Sequence, residues 1–231
     1  MNDKIIGIIG GMGPEATADF YSKIIKATKV TKDQDHFRVI IDSNPKIPDR
    51  TKAIIGEGES PLPEMIKTAK NLELAKVEVA CIPCITAHYF IDEIRSEVNY
   101  EILNALEVLN EYIKSNYKNA RKIGVLSTTG TMRAGMFHKY LPDYEIVYPN
   151  DKDQEEEVMK AIYGENGIKC GNYGMEPISL LVAAANSMIS QGADLIVSGC
   201  TEISIVLTPD HIIKPLIDTM EILANKVVNG D

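Results

Sequence analysis

The sequence predicts two pseudo-symmetric α/β domains, each with a mostly parallel sheet flanked by helices, and an active site in the cleft between them. Three observations predict it. Apolar runs of strand length alternate with amphipathic stretches, the pattern of successive strand–helix units. Segments recur: 4–13 (KIIGIIGGMG) echoes 121–130 (RKIGVLSTTG), and 102–109 (ILNALEVL) echoes 216–223 (LIDTMEIL). Two cysteines, Cys84 and Cys200, fall at matching places, because the separations Gly7 to Cys84 and Gly124 to Cys200 differ by a single position. A period of about half the chain is too long for a solenoid. It reads as duplicated domains, 1-102 with 217-231, and 103-216.

Each element has a local reason. The run 5–9 is continuously apolar, as in a strand buried on both faces. Residues 14–26 form a helix with proline in its first turn and Ala16, Phe20 and Ile24 on one stripe. A strand at 39–41 is followed by a loop of functional length, 43–60, rich in turn residues. Helix 62–74, strand 77–82 and helices 88–96 and 103–113 complete the first half, and 116–119 is a loop between the halves. The second half repeats the order: strand 123–126, helix 133–140, strand 145–148, helices 154–163 and 178–191, strand 195–197 and a last helix, 219–228. In parallel sheets ligands bind beyond the carboxyl ends of the strands. Gly11, Cys84, Thr128 and Cys200 all lie there.

Composition narrows the function. The chain of 231 residues has 45% hydrophobic residues, enough for a real core, and a formal net charge of -9. That charge makes nucleic acid and anionic membrane poor partners. No apolar run approaches the roughly 20 residues of a membrane span, and no basic leader precedes the first strand. A cytoplasmic location is expected. Four cysteines are too few for a disulfide scaffold, and a reducing compartment keeps them as thiols.

The motifs are uneven in strength. Gly10-Gly11-Met12-Gly13-Pro14 contains a loose dinucleotide fingerprint through Ala16, but Pro14 removes a donor from the helix start and Asp42 lies too far along for the ribose acid. A tight turn is the better reading. Cys81 and Cys84 form a CxxC, which admits redox chemistry, although Cys81 sits inside an apolar run. Cys170 reads as a loop or helix cysteine. Four histidines and four cysteines share no zinc-ligand spacing. A single cysteine is usually a small buried hydrophobe. Cys84 and Cys200, however, both end strands and precede a threonine by one or two positions. Inverting a stereocentre needs two opposed acid/base groups, one on each face, and two such thiols would provide them.

Together, Gly10 to Pro14, Pro48-Asp49-Arg50-Thr51, Cys84-Ile85-Thr86-Ala87-His88, Thr128-Thr129-Gly130-Thr131 and Gly199-Cys200-Thr201-Glu202 make the chain resemble the aspartate/glutamate racemase family, the aspartate branch in particular. The resemblance spans nearly the whole chain. It implies racemisation without pyridoxal phosphate, metal or other cofactor, with Cys84 and Cys200 as the acid/base pair. It also implies that Arg50 and Lys169 bind substrate carboxylates and that Ile85, Thr86 and Ala87 line the substrate, with Met12, Thr128, Thr129 and Thr201 from the same motifs. The family's asparagine after the first cysteine is Ile85 here, so one amide contact is missing.

Removing an α-proton builds charge that preorganised donors must stabilise. Thr86, Thr128, Thr129 and Thr201 are the candidates. Arg50 can grip a carboxylate bidentately and Lys169 adds a point charge. His88 is either a helix-start residue that aids Cys84 or a structural histidine. Glu202 could orient a thiol, bind substrate ammonium or face a helix N-terminus. The expectation is an aspartate racemase acting on a small-molecule amino-acid substrate, with a homodimer admitted. Glutamate or a broader set of amino acids is the alternative. A CxxC oxidoreductase and a non-catalytic amino-acid-binding protein are the readings from other classes.

Overall fold

A computed structural model describes residues 4–230. It divides into two compact units: one runs to Leu109 and resumes at Met220, and the other is Asn110–Thr219.

The first unit contains β1 (Ile5–Gly10), α1 (Pro14–Ala27), β2 (Arg38–Ser43), α2 (Arg50–Ile54), α3 (Leu62–Leu74), β3 (Val79–Cys81), α4 (Ile91–Arg95), β4 (Glu101–Ile102) and the start of α5 (Ala105–Asn116). All its strands pair in parallel, in the order β2-β1-β3-β4. Ile6, Ile8 and Ile9 of β1 are fully buried, as the unbroken apolar run requires of a strand covered on both faces.

The second unit repeats the plan with β5 (Lys122–Leu126), α6 (Thr129–Arg133), α7 (Met136–Tyr140), β6 (Glu145–Val147), α8 (Asp151–Asp153), α9 (Lys160–Tyr163), α10 (Met175–Ser190), β7 (Leu195–Ser198), α11 (Ile203–Val206) and β8 (Leu216–Asp218). The last helix, α12 (Thr219–Asn229), follows β8 and from Met220 belongs to the first unit. The strand order, β6-β5-β7-β8, again all parallel, is that of the first sheet.

The matched glycines have matched jobs. A Cβ on Gly7 would come within 2.7 Å of Val77 and 3.1 Å of Leu72 on α3. A Cβ on Gly124 would come within 2.5 Å of Ile196 and 3.3 Å of Met188 on α10. In both units the bare backbone lets the helix before the third strand press onto the first strand.

Several expectations are corrected. The loop 43–60 contains α2, which Asp49 caps by accepting a hydrogen bond from Lys52 N at 2.8 Å. Helix 133–140 is two short helices that meet at Gly135. The stretch 154–163 begins with a π-helical turn, 154–159, before α9. Helix 88–96 is a 3₁₀ turn, Ile85–Phe90, followed by α4. The edge strands β4 and β8 were not expected. Ile217 pairs with Val197, so Leu216–Asp218 belong to the second sheet, and the expected 216/217 boundary cuts that strand.

In each sheet the first strand lies between the second and the third, so the connection that follows the first strand and the one that follows the third run to opposite sides. The ends of β1 and β3, and of β5 and β7, are therefore topological switch points, where α/β sheets place ligands. Cys84 follows β3, and Cys200 follows β7.

Candidate active site

The two cysteines have the same local architecture. Each is the first residue of a tight turn: the Cys84 carbonyl accepts from Ala87 N at 3.1 Å, and the Cys200 carbonyl accepts from Ile203 N at 3.1 Å. Each carbonyl holds a second bond, from His88 Nδ1 at 3.0 Å in the first unit and from Ser198 Oγ at 3.3 Å in the second. Both residues are 6% exposed. Two bonds on the carbonyl fix the peptide from which each thiol projects.

In the first unit, Cys84 shares a buried cluster with Met12, Ile47 and Ala87. Met12 follows β1 in a turn that needs glycine: Gly11 has φ +91, and a Cβ there would lie 2.3 Å from the Asn44 backbone. The Gly11 amide donates to Thr17 Oγ1 at 2.8 Å, so α1 itself takes a donor that a phosphate loop would present. Arg50 is the first residue of α2, which packs on the turn 85–90. Its Nη1 donates to the carbonyls of Ile47 (3.2 Å) and Pro48 (2.9 Å), and its Nη2 to that of Met12 (3.3 Å). The guanidinium thus ties the loops after β1 and β2 together. Ile85, Thr86 and Ala87 are buried in the turn after Cys84, and Ile85 presents an apolar side chain there.

His88 resolves into its structural reading. It is 1% exposed; Nδ1 donates to the Cys84 carbonyl, and Nε2 accepts from Ala105 N at 3.1 Å, the first amide of α5. This pattern fits one neutral tautomer. Burial lowers its pKa to about 4, against the help of the Cys84 carbonyl. Cys81 lies in β3, fully buried and paired in register with Ile8, and burial pushes its thiol up. That environment suits a packing residue rather than a redox partner.

The second unit is more polar. Cys200 Sγ donates to Glu202 Oε2 at 3.0 Å, and Thr201 Oγ1 donates to the same oxygen at 3.0 Å. The other oxygen, Oε1, pairs with Lys169 Nζ. Lys169, on the 3₁₀ turn Ile168–Cys170, also sits 5.3 Å from the centre of the Tyr163 ring. Burial alone would raise the Glu202 pKa, but the Lys169 ammonium and the hydrogen bonds hold it below the ordinary carboxylate range. Burial, reinforced by the Glu202 charge and partly offset by Lys169, pushes the Cys200 thiol well up.

After β5, Thr128 caps α6 by accepting from Thr131 N at 3.4 Å. The Thr129 hydroxyl donates to Glu155 Oε1 at 3.0 Å. Gln154, brought in by the π-helical turn, donates to Ser127 O at 2.9 Å and to Thr129 Oγ1 at 3.3 Å. The hydroxyls of Thr129 and Thr201, expected as donors to developing charge, are thus already given to carboxylates.

Met12, Arg50, Cys84, Ile85, Thr86 and Ala87 gather at the β1/β3 switch point. Thr128, Thr129, Lys169, Cys200 and Thr201 belong to the second unit. A cavity of about 290 Å³ lined by Tyr117, Lys118 and Asp194 lies before β5 and β7, at the opposite end of those strands from Cys200. The sequence reading did not commit Glu202, Glu155 or Gln154 to the site. Only Glu202, two positions after Cys200, carried a signal. Among the described residues no cluster of three His, Cys, Asp or Glu side chains is disposed to hold a metal ion.

Residues 9–227 match the Asp/Glu/hydantoin racemase family. The chain belongs to that family. As a member of the Asp/Glu/hydantoin racemases it is an amino-acid racemase, an isomerase. It is similar to the broad specificity amino-acid racemase RacX of Bacillus subtilis, 31% identical, with 97% of each chain covered. Among solved structures it is similar to Picrophilus torridus aspartate racemase, with a TM-score of 0.83 and 27% identity over 98% of this chain and 94% of that one. An aspartate racemase homologue from Pyrococcus horikoshii has a TM-score of 0.77 and 27% identity over 99% and 98% of the two chains. Among the described residues, no helix of this family member is long and apolar enough to cross a membrane.

Proposed function

We propose that this racemase inverts the α-carbon of an amino acid by a two-thiol mechanism, with Cys84 and Cys200 on opposite faces of the substrate and aspartate as the substrate. The observation that carries the reading is the repeated setting of the two thiols: both are buried, both start a tight turn at a switch point, and both carbonyls are doubly bonded. One cysteine, as thiolate, takes the α-proton; the electron pair stays on the α-carbon, and the other cysteine's S–H proton is delivered to the opposite face. The reverse reaction exchanges the roles. Neither step calls on pyridoxal phosphate or a metal ion. Both thiols must stay free, which suits a reducing, cytoplasmic compartment. Arg50 and Lys169 would take the carboxylates of aspartate, with the substrate exchanging for Glu202 at Lys169.

A broader amino-acid range is the second reading. Buried, apolar Ile85 beside Cys84 and the Lys169–Glu202 pair favour it, as does the likeness to a relative described as broad in specificity.

The test is α-hydrogen exchange and inversion in deuterated water across a panel of L- and D-amino acids, after dialysis against chelator. Inversion of aspartate, lost in both Cys84→Ser and Cys200→Ser, is the expected result. Each variant should retain elimination of a β-leaving group from one enantiomer, and the two should prefer opposite enantiomers. Near-normal racemisation by either variant would sink the two-thiol mechanism. Turnover of neutral amino acids at rates matching aspartate would select the second reading.

A further inference from the structure

The two thiols differ in one respect. Among the described residues a carboxylate receives the proton of Cys200, and none receives that of Cys84. Glu202 is 5% exposed and spends both oxygens: one on the Cys200 thiol and the Thr201 hydroxyl, the other on Lys169. We propose that Glu202 is the positioning residue of Cys200: fixed by Lys169 and Thr201, its carboxylate aims the thiol proton and makes Cys200 the resting proton donor of the pair. The proposal rests on the two-thiol reading and adds an assignment to it. The resting enzyme then receives the enantiomer whose α-proton faces Cys84.

Geometry and charge agree. A carboxylate that accepts from a buried thiol stabilises S–H over thiolate, and the adjacent ammonium has the opposite effect. Glu202 and Lys169 are the charged groups that act on Cys200. Asp218 accepts from Ser204 Oγ at 2.8 Å, and Ser204 Oγ lies 2.9 Å from Ser198 Oγ, whose hydroxyl bonds the Cys200 carbonyl rather than its sulfur. Removing Glu202 and removing Lys169 should therefore move the Cys200 thiol in opposite directions. A merely structural contribution from either residue would not produce that pattern.

The experiment follows the Cβ resonance of Cys200 against pH in full-length protein labelled with ¹³Cβ-cysteine, the signal being assigned by its loss in Cys200→Ser. In wild type the thiol signal should persist to the alkaline limit of the folded state. In Glu202→Gln, of similar shape but uncharged, the thiolate should appear at least about tenfold lower in hydroxide concentration, a shift of one pH unit. Lys169→Met should retain the wild-type thiol signal or move its midpoint upward, and Glu202→Asp should return the midpoint toward wild type. A Glu202→Gln midpoint that is unchanged or raised, or a thiol signal that never titrates in that variant, overturns the proposal. So does a lowered midpoint in Lys169→Met. The readout needs no turnover: a wild type that fails to racemise would defeat the two-thiol reading and leave the titration to judge Glu202 separately.

Discussion

Arg50 shows how one side chain can serve both shape and chemistry. Its guanidinium donates to three backbone carbonyls, Met12, Ile47 and Pro48, that no compact ammonium could reach together. Arg50→Lys keeps the charge and loses the span. The expected result is a stability loss of about 1–3 kcal/mol in urea denaturation and a raised KM for aspartate. An unchanged denaturation midpoint would show that the carbonyls do not depend on the fork. Cys81 is the contrasting case. Cys81→Ser puts a hydroxyl into the fully buried end of β3, at a cost of about 1–3 kcal/mol, yet racemisation per folded molecule should match wild type. Loss of turnover in a folded Cys81→Ser protein would return the CxxC to consideration as chemistry.

At the scale of elements, the His88 imidazole joins the turn after Cys84 to the first turn of α5. It fills two backbone needs at once, one of them an orphan amide of a helix start. The side chain titrates near 6.5 when unfolded and at about 4 in the folded unit. Between those values the unfolded chain holds more protons, so stability rises with pH through the window. The contribution is whole above the upper value and drains away as pH falls toward the lower one. Its size is on the order of 3 kcal/mol. Urea midpoints measured between about pH 7 and pH 4 should fall more steeply for wild type than for His88→Gln, which is less stable at neutral pH but has no ring to protonate. Parallel slopes would show that His88 stays neutral without cost, or is not buried.

Elements of this kind also show what could be read in advance. β1, β3, β5 and β7 announce themselves because strands covered on both faces must be apolar throughout. β4, of two residues, is too short for any periodicity to register, and β8 runs directly into α12 with no turn residue to separate them. The π-helical turn 154–159 has no composition of its own, so the approach of Gln154 and Glu155 to Thr129 was hidden. Cys84 and Cys200 were legible because the duplication repeats their spacing. The Lys169–Glu202 pair was not, since 33 positions separate its partners and only the packing of the second unit brings them together.

The whole molecule uses one sheet order twice and then breaks the likeness at Glu202. That break has a consequence set by equilibrium rather than by structure. Enantiomers in water have equal free energies, so a racemase, however unequal its two halves, must show the same kcat/KM for both hands of its substrate, and every variant must obey the same rule. The inequality between a thiol held by a carboxylate and one that is not can therefore surface only at saturation, as a kcat and a KM that differ between the enantiomers by the same factor. Progress curves started from each hand should give that factor in wild type, and a changed one in Glu202→Gln, with the two kcat/KM values equal in both proteins. A lopsided protein is thus bound to an even-handed reaction, and its asymmetry can govern only which hand it holds longer.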